Sequence, residues 1–413
     1  MFLDYTRIFF MNRLNVLIII PNLGRGGAQQ VYRQQIHYLC AYFNVIGCVF
    51  NWDEAFEGDR SLEVISLEVP GGRTLLQKFY YFILRIVRLR KLKKKKKIDV
   101  AISHLEGADY INLLSGRSER TICWIHGTKK HDSNIEGVMG MIRKNILMPL
   151  LYKRSDNVIA VSKGIAKEMI EMSGISSDKV KTIYNGFDLA IIDQKSQELI
   201  DPEFESLSRE NLLLITHCRL SRQKNLIALL EIVTLMKDTP NLKLVILGDG
   251  ELRSELINRC TDLKLSNYNV WDEMQWHSNY HVYFLGHKYN PYPYLKKSSL
   301  YLMTSLWEGF PLSLCEAMAC GLPVVSSDCY TGPREILAPD LLIDKPVEEP
   351  YISSYGVLMP LPDSLYTKDL WAQYIQYIIK EKVILLQIAN NGMQRIFDFE
   401  GAKISEQWRD LLI

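Results

Sequence analysis

The residues best placed to do chemistry are two glutamates, Glu308 and Glu316, which are separated by seven residues. Glu308 precedes a Gly-Phe-Pro turn, and Glu316 lies in an apolar run with helical spacing. Gly321 and Pro323 are expected to end that helix, and Val324 to begin a strand. A carboxylate accepts hydrogen bonds from hydroxyls, and a helix N-terminus favours anions. The stretch therefore suits a ligand with both hydroxyls and phosphates, such as a sugar nucleotide.

The elements that must position these residues are short apolar runs alternating with amphipathic stretches, which indicates parallel sheets covered by helices. A first series of predicted strands comprises Val16–Ile20, Val45–Phe50, Val64–Leu67, Val100–Ser103, Thr121–Ile125, Asn157–Val161 and Val180–Ile183. A second series comprises Leu212–His217, Lys243–Leu247, Val282–Leu285, Leu300–Thr304, Val324–Ser326 and Gly356–Met359. Two such series predict an α/β protein with two doubly wound, Rossmann-like domains.

The length of 413 residues also favours two domains, because one core seldom holds so long a chain. We predict an N-terminal domain over 1–190, a C-terminal domain over 191–395, and a final helix, 396–413, that packs back on the first domain. The boundary is expected in the polar stretch 188–211. Residues 1–13 are interpreted as an extension, with Met11 as a possible start, and 267–280 as an inserted loop of unassigned role.

Composition limits the class of protein further. The eight cysteines are scattered without a C-x-x-C pair, which favours free thiols in a reducing compartment. No uninterrupted apolar run is long enough to span a bilayer, and Val16–Ile20 is predicted to be a strand and not part of a signal peptide. Cysteine and histidine spacing offers no zinc site, and the sequence contains no D-x-D element of the kind that binds a divalent metal. A cytoplasmic protein without a bound metal is expected.

A basic segment stands out because the net charge of the whole chain is only +2. Residues 71–98 contain no acidic side chain and carry +11, which leaves −9 for the remainder. Apolar and aromatic residues from Leu75 to Leu89 interleave with basic ones at helical spacing, and Lys93–Lys97 follow. The pattern is typical of a helix lying on an anionic membrane surface through residues 74–97. A core helix followed by a solvated lysine run remains an alternative, and nucleic-acid binding is disfavoured because no nucleic-acid module accompanies the charge.

Glycines follow the first predicted strand at Gly24, Gly26 and Gly27. A glycine-rich turn before a helix lets the backbone approach a diphosphate and offers N–H donors to it. The spacing departs from G-x-G-x-x-G, which disfavours binding of a nicotinamide dinucleotide. An ordinary strand-to-helix turn without a bound ligand is the alternative interpretation of these glycines.

Several local patterns occur in a fixed order along nearly the whole chain. They are Asn22–Gln29, Trp124–Gly127, Val161-Ser162, Asn185–Asp188, Arg219-Leu220, Lys224-Asn225, Leu247–Glu251, Asn290-Pro291, the Glu308…Glu316 stretch and Thr331–Glu335. In this order they resemble the retaining glycosyltransferases of family 4. The resemblance implies the GT-B fold, in which two Rossmann-like domains face a central cleft.

The resemblance also implies roles for particular residues. The catalytic candidates are Glu308, His126, Arg219 and Lys224, and the candidates for binding the donor are Gly26, Gly27, Arg219, Lys224, Gly309, Phe310, Leu312 and Glu316. Arg219 and Lys224 would hold the donor diphosphate and stabilise the departing anion without a metal. Glu316 would bind the ribose hydroxyls, and Glu308 would face the donor sugar near its C3 hydroxyl.

His126 would lie near the C6 side of the sugar or near the incoming hydroxyl; a structural histidine at a strand end is the alternative. Taken alone, Arg219 and Lys224 would equally fit two solvated surface cations, so their assignment depends on the resemblance.

The sequence thus predicts a metal-independent retaining glycosyltransferase, peripheral on the inner face of the cytoplasmic membrane. It would move a hexose or N-acetylhexosamine from a UDP-sugar to a lipid-linked glycan acceptor. This reaction would belong to the assembly of capsule, O-antigen or a similar surface polysaccharide. The alternatives are another GT-B enzyme, such as a UDP-sugar 2-epimerase or a phosphorylase, and a catalytically silent glycan-binding protein at the membrane. The sequence does not distinguish UDP from GDP, the sugar, the acceptor, the linkage or the oligomeric state.

Overall fold

The structure is a computed structural model that describes residues 13–24, 26–52, 63–116, 118–131, 137–341 and 345–413. The chain forms two compact units. The first runs to Gly186 and also includes Gly401–Ile413, and the second is Phe187–Glu400. The divisions thus fall after Gly186 and Glu400, where the sequence analysis places them after residues 190 and 395. The predicted extension lies outside the described residues up to residue 12, and with it Met11.

The first unit contains one parallel sheet in its described residues, with strand order β3-β2-β1-β4-β5-β6-β7. Its strands are β1 (Asn15–Ile20), β2 (Asn44–Val49), β3 (Val64–Ser66), β4 (Val100–His104), β5 (Arg120–Ile125), β6 (Asn157–Ala160) and β7 (Val180–Thr182). Its helices are α1 (Gly27–Leu39), α2 (Leu75–Lys96), α3 (Glu106–Leu114), α4 (Gly137–Ile142), α5 (Met148–Tyr152), α6 (Lys163–Ser173) and α16 (Gly401–Leu412). A π-helical segment, Arg143–Leu147, joins α4 to α5.

The second unit contains a sheet with strand order β10-β11-β9-β8-β12-β13-β15-β14, in which only the β14–β15 pair is antiparallel among the described residues. Its strands are β8 (Leu212–His217), β9 (Leu242–Leu247), β10 (Asn267–Asn269), β11 (Val282–Phe284), β12 (Leu300–Met303), β13 (Val324–Ser327), β14 (Tyr351–Ile352) and β15 (Val357–Met359). Its helices are α7 (Leu189–Ser196), α8 (Pro202–Glu210), α9 (Leu226–Leu235), α10 (Arg253–Asp262), α11 (Tyr292–Lys296), α12 (Leu312–Ala319), α13 (Pro333–Leu337), α14 (Leu365–Ile378) and α15 (Lys382–Ile396).

The predicted α/β class with two Rossmann-like sheets is confirmed. Each predicted strand is present, with both ends within one residue of the prediction. The central strands read as continuous apolar runs because helices cover both faces of the sheets: Val16–Ile20 in β1 and Leu213–Ile215 in β8 are fully buried.

Two regions differ from the sequence-based expectation, and the stretch predicted to hold the domain boundary contains two helices. The predicted loop 267–280 begins with strand β10, a short polar strand at one edge of the second sheet. The polar stretch 188–211 folds into α7 and α8, because Asp188 caps α7 and Pro202 occupies the first turn of α8, where no backbone N–H is needed. The C-terminal stretch is two helices, α15 and α16, separated by a 3₁₀ turn over Phe397–Phe399.

Helix α2 carries the basic segment and begins with a capping box between Thr74 and Gln77. Apolar side chains lie exposed on its first half; they are Leu75, Leu76, Phe79, Tyr80, Ile83 and Val87. Lys91 and Lys94 are also exposed, and they lie four and seven residues after Val87. At helical spacing this places them on the same face of α2 as Val87. Apolar and cationic surfaces therefore follow one another along the helix, where the sequence analysis expected them side by side.

The lysine run is only partly solvated. Lys93 is 4% exposed and pairs through Nζ with Glu119 Oε1 at 2.5 Å and with Asn112 Oδ1 at 2.7 Å. This buried ion pair ties the C-terminal half of α2 to α3 and to the loop before β5. None of the helices in the described part of the chain is both long and apolar enough to cross a bilayer.

Helix α16 completes the first unit by packing on α1 and β5. Trp408 contacts Trp124 with ring centroids 4.6 Å apart. Gly401 lies against Tyr38 so closely that an added Cβ would come within 2.3 Å of the tyrosine hydroxyl oxygen. A larger residue than glycine would therefore separate these two helices.

Candidate active site

In the second unit, Lys224 and Glu308 form a nearly buried ion pair, with Nζ 2.6 Å from Oε1. The side chains are 16% and 6% exposed. Gln223 donates from Nε2 to the second oxygen of Glu308 at 3.3 Å and to the carbonyl of Trp307 at 2.8 Å. These contacts fix the positions of the Lys224 ammonium, the Gln223 amide and the Glu308 carboxylate relative to one another.

The backbone around Lys224 explains why it reaches Glu308. Arg222–Lys224 form a single 3₁₀ turn between β8 and α9, and Asn225 then adopts a left-handed conformation with φ of 51°. Thr304, just after β12, donates its hydroxyl to the carbonyls of Lys224 at 3.1 Å and Asn225 at 3.2 Å. The ends of two neighbouring parallel strands are thereby joined at the edge where α/β sheets bind ligands.

Burial is the largest single influence on the pKa of Lys224 and lowers it, but the charge and the hydrogen bond of Glu308, together with Cys218 and Cys329, outweigh burial, so the net pKa of the ammonium is raised. The lysine therefore remains a cation at neutral pH. A charged donor held in a poorly solvated site interacts more strongly with an added anion than it would in water.

The loop that carries Glu308 is held by the Thr331-Gly332 turn. The backbone N–H of Glu308 donates to the carbonyl of Tyr330 at 3.1 Å, and the Thr331 hydroxyl donates to the carbonyl of Glu308. Gly332 has φ of 94°, and an added Cβ would lie 2.7 Å from Cδ of Pro311. The Thr331–Glu335 element, to which the sequence alone assigns no role, thus supports the loop that carries Glu308.

The close approach at Gly332 gives a first prediction. Gly332→Ala combines a strained left-handed backbone with a clash against the Glu308 loop, so we expect about 2–4 kcal/mol less unfolding free energy and at least tenfold lower activity. Thermal unfolding and steady-state kinetics measure the two effects. Gly71→Ala is the matched control, because an added Cβ there meets nothing within 4 Å. Equal behaviour of both variants would contradict this account.

Glu316 lies on α12 and is 4% exposed. Its carboxylate is hydrogen-bonded by the hydroxyl of Tyr292, the first residue of α11, and its Oε2 lies 3.5 Å from Nδ1 of His217. Burial, followed by the charge of Glu316, raises the pKa of Tyr292, which keeps the phenol protonated as a donor. Neither Tyr292 nor His217 was singled out from the sequence; they are brought to Glu316 by the helix before β12 and by the end of β8.

The other residues predicted in this unit have different surroundings. Arg219 is 72% exposed and pairs with Glu251, with Nη2 3.0 Å from Oε2. It is therefore bound to a different carboxylate from Lys224. Gly309 borders the Gly332 turn, and Leu312 begins α12. The Phe310 ring is 5% exposed and packs edge-on against Phe399 with centroids 5.1 Å apart, so its side chain belongs to the core.

In the first unit, His126 follows β5 and is part of a buried chain of hydrogen bonds. Its Nε2 lies 2.9 Å from Nδ1 of His104, and Nε2 of His104 lies 2.7 Å from Oε1 of Gln35. The two imidazoles stack with centroids 4.9 Å apart. Burial lowers the pKa of His126 to about 3, with the charge of Lys129 acting in the same direction, and burial also lowers the pKa of His104. His126 was predicted from the sequence, whereas His104, which bonds to it, and Gln35, which bonds to His104, were not.

The glycines of the first loop lie at the start of α1. Gly26 is the N-cap and has φ of −172°, an extended conformation open to any residue, and Gly27 is the first helical residue. Arg25 lies outside the described residues. Among the described residues, no group of three or more histidine, cysteine, aspartate or glutamate side chains is arranged to hold a metal ion.

Two Rossmann-like units with candidate ligand-binding residues at the carboxyl ends of their strands define the GT-B class of glycosyltransferases. Comparison with known proteins agrees. The model for glycosyltransferase family 4 matches residues 25–191, and that for glycosyl transferases group 1 matches residues 196–349. An uncharacterized glycosyltransferase of Methanocaldococcus jannaschii is 30% identical over 362 residues, which cover 81% of this chain and 84% of the relative. The chain therefore belongs to the family 4 glycosyltransferases, and it is a transferase enzyme.

Two further similarities bear on the fold and on the substrates considered below. The N-acetylgalactosamine-N,N'-diacetylbacillosaminyl-diphospho-undecaprenol 4-alpha-N-acetylgalactosaminyltransferase of Campylobacter jejuni is 27% identical over 330 residues, covering 78% of this chain and 83% of that enzyme. The crystal structure of Anabaena HepE in complex with UDP superposes with a TM-score of 0.73 at 18% identity, covering 97% of this chain and 99% of that one. The latter similarity establishes the fold.

Proposed function

We propose that the protein is a retaining, metal-independent glycosyltransferase that moves a hexose or N-acetylhexosamine from a UDP-sugar to a lipid-linked glycan acceptor in surface polysaccharide biosynthesis. The observation that carries the proposal is the fixed Lys224–Glu308 pair, with Gln223 on its other side and Glu316 on α12 following it in the chain. A cation, two carboxylates and a helix start within one unit match the phosphate, the ribose and the sugar of such a donor.

The leaving group of this reaction is a nucleoside diphosphate, which departs as an anion. Lys224 supplies a fixed positive charge for it, and Arg219 supplies a second, more mobile one after rotating away from Glu251. With these two cations in place, the chemistry does not require a divalent metal. Retention follows if the acceptor hydroxyl attacks the anomeric carbon on the face from which the diphosphate departs, the hydroxyl proton passing to a departing phosphate oxygen.

The donor and the acceptor are proposed from relatives. Anabaena HepE was crystallised with UDP, and the Campylobacter enzyme is named for a diphospho-undecaprenol acceptor. An Escherichia coli relative, 25% identical over 256 residues, is named UDP-Gal:alpha-D-GlcNAc-diphosphoundecaprenol alpha-1,3-galactosyltransferase. These names favour UDP over GDP and a polyprenyl diphosphate carrier over a free glycan.

A lipid-linked acceptor requires the enzyme to reach a membrane, and α2 suits that task. Its exposed apolar half would enter the boundary between headgroups and acyl chains, and Lys91, Lys94 and Lys95 would meet anionic headgroups. Each cation near an anionic surface contributes about 1 kcal/mol. We therefore place the enzyme on the inner face of the cytoplasmic membrane, bound peripherally through residues 74–97.

Vesicle binding tests this placement. The triple change Lys91→Gln, Lys94→Gln and Lys95→Gln is expected to weaken partition onto phosphatidylglycerol vesicles about 100-fold, at roughly 1 kcal/mol per cation. Phe79→Ser with Ile83→Ser is expected to weaken binding to anionic and neutral vesicles alike. The control is Lys380→Gln, Lys382→Gln and Lys403→Gln, three exposed lysines elsewhere. Co-sedimentation over a salt series measures each.

A second exposed apolar surface in the same unit is an alternative membrane contact that the vesicle experiment can distinguish from α2. Met141, Ile146 and Leu150 are 58%, 51% and 61% exposed on the helical stretch that ends at Tyr152. If the corresponding serine variants abolish vesicle binding while the α2 variants leave it unchanged, α2 is not the membrane contact.

The proposed activity is tested by nucleotide release from a panel of UDP- and GDP-sugars, with and without an extract of native membrane lipids, in EDTA. We expect UDP release from one donor that depends on lipid and persists in EDTA. At donor concentrations below KM, release should fall about 100-fold in Glu316→Ala and about 1,000-fold in Lys224→Met. Release that requires added Mn²⁺ or Mg²⁺ would overturn metal independence. The anomeric configuration of the isolated product, determined by NMR, decides between retention and inversion.

The same assay separates the alternatives. An epimerase converts or releases nucleotide from a UDP-sugar without any acceptor, and a phosphorylase requires inorganic phosphate. A silent glycan-binding protein releases no nucleotide from any donor with any member of a defined acceptor panel.

A further inference from the structure

The buried chain Gln35–His104–His126 has only two possible proton arrangements when both imidazoles are neutral. Each neutral ring carries one proton, and each of the two contacts in the chain needs one proton between its two atoms. The group at the Gln35 end therefore decides the state of both histidines. His104 is fully buried and His126 half-buried, and no carboxylate is bonded to either ring among the described residues.

Gln35 presents its carbonyl oxygen to His104, and an oxygen of this kind can only accept. The His104 Nε2–H must then donate to Gln35, which leaves Nδ1 of His104 as an acceptor. His126 must donate its Nε2–H to that nitrogen, which leaves Nδ1 of His126 without a proton. This nitrogen has no partner among the described residues.

We infer that Gln35 and His104 are positioning residues that fix His126 in the Nε2–H tautomer, so that its Nδ1 presents a lone pair to a hydroxyl of the substrate. The inference rests on the proposed transferase function only for its last step, the substrate contact. The tautomer itself follows from the hydrogen bonds within the first unit.

The fixed tautomer has a consequence for substrate class. A nitrogen that only accepts selects a group that can donate, such as a sugar hydroxyl or an amide N–H. It disfavours a carboxylate at the same position, because two acceptors would then face each other without a proton. His126 therefore selects for neutral hexoses and N-acetylhexosamines and against uronic acids.

The surroundings keep this arrangement fixed. Trp124 packs against both imidazoles, with centroids 5.0 Å from His104 and 5.1 Å from His126, and Tyr32 packs edge-on against His104 at 5.5 Å. The aromatic rings hold the two imidazoles in place, and at a fully buried histidine such as His104 each hydrogen bond constrains the next more strongly than it would in water. The charged group that acts on His126 is Lys129, whose cation opposes protonation of the ring.

The tautomer can be measured directly in the full-length protein labelled with ¹⁵N-histidine. Long-range ¹H–¹⁵N spectra between pH 5 and 8 should show both His104 and His126 with a protonated Nε2 and a bare Nδ1, without titration. His104→Asn and His126→Asn assign the signals, and His37→Asn, at an exposed histidine on α1, is the control. A protonated Nδ1 on His126 at pH 7 would overturn the inference, since it would mean that the Gln35 amide is reversed. This measurement needs no substrate, so its result is independent of the donor, acceptor and mechanism proposed above.

Gln35→Met tests the positioning role, because methionine fills a similar volume and cannot accept strongly. We expect His126 to show a mixture of tautomers and kcat/KM to fall about tenfold, the value of one hydrogen bond. Gln34→Met, at the neighbouring half-buried glutamine, is the matched control. An unchanged His126 spectrum in a folded Gln35→Met protein would remove Gln35 from the mechanism.

Deoxygenated substrates identify the hydroxyl that His126 contacts. Removal of that hydroxyl should lower kcat/KM about tenfold in the wild type and have no effect in His126→Phe. Deoxy donors and deoxy acceptors, tested separately, decide which substrate carries it. Full sensitivity of His126→Phe to every deoxy analogue would show that His126 contacts neither substrate.

Discussion

Lys224→Met is expected to lower kcat/KM about 1,000-fold and the free energy of unfolding by about 3 kcal/mol. The activity falls because the fixed cation for the departing diphosphate is lost. The stability falls because Glu308, only 6% exposed, is left as a charge without its ionic partner. Nucleotide-release kinetics and denaturant unfolding measure the two effects on the same preparation.

The double variant Lys224→Met with Glu308→Gln separates the two effects. With the carboxylate neutralised, most of the lost stability should return, because no unpaired charge remains buried. The activity should stay low, since both groups contact the donor in the proposed reaction. If stability and activity recover together, the pair is structural only. Arg253→Met, which breaks the exposed pair with Asp249, controls for loss of an ordinary surface cation.

The pH dependence of the pair follows from the raised pKa of Lys224. A lysine whose pKa is higher in the folded than in the unfolded protein contributes stability that is fully present below the unfolded value of about 10.4. That contribution is lost only as the pH rises through the folded pKa. Between pH 6 and 9 the stability difference between wild type and Lys224→Met should therefore be constant, and a difference that declines across this window would contradict a charged lysine.

The strands were predictable because burial on both faces forces continuous apolar runs, as in Val16–Ile20. The exceptions are the short edge strands β10 and β14. Asn267–Asn269 has a single tyrosine between two asparagines, and Tyr351–Ile352 is exposed. An edge strand is paired on one side only, so its residues need not be apolar. Local pattern therefore carries no signal for strands of this kind.

The candidate site shows a similar limit. Glu308 and Lys224 are 84 residues apart in the chain, and their contact depends on β8 and β12 being neighbours in the sheet. Their residue types indicated binding of a charged ligand. That they form an ion pair with each other becomes evident only from the order of the strands in the sheet. Arg219 illustrates the opposite case: it is close to Lys224 in sequence, yet its partner is Glu251 after β9.

Supporting residues were the hardest to find. Gln35, His104, Tyr292 and Thr331 are ordinary residue types in helices, strand ends and turns, without a spacing that marks them. His104 and Thr331 hold residues that were predicted, His126 and Glu308, and Gln35 holds His104 in turn; each lies more than 20 residues from the group it holds. Supporting contacts of this kind require the fold, because the sequence specifies them only through packing.

Glu316→Ala should raise KM for the donor about 100-fold while changing kcat much less. Two hydrogen bonds from ribose hydroxyls to a buried carboxylate, each worth about 1.5 kcal/mol, account for a factor of this size. The loss should fall on binding, because the ribose is remote from the bond that breaks and interacts equally in ground and transition states. Initial rates over a donor series measure it, and Glu255→Ala, at an exposed glutamate on α10, is the control.

Nucleotide analogues give this prediction its sharpest form. A donor with 2′- or 3′-deoxyribose should bind wild type about tenfold more weakly, and Glu316→Ala should bind it as well as the normal donor, since the acceptor of that hydroxyl is already gone. Tyr292→Phe should show an intermediate loss, because the phenol donates to the Glu316 carboxylate and so helps to hold it in place. If Glu316→Ala instead retains the full discrimination, the ribose is bound elsewhere, and the buried carboxylate serves to hold α11 against α12.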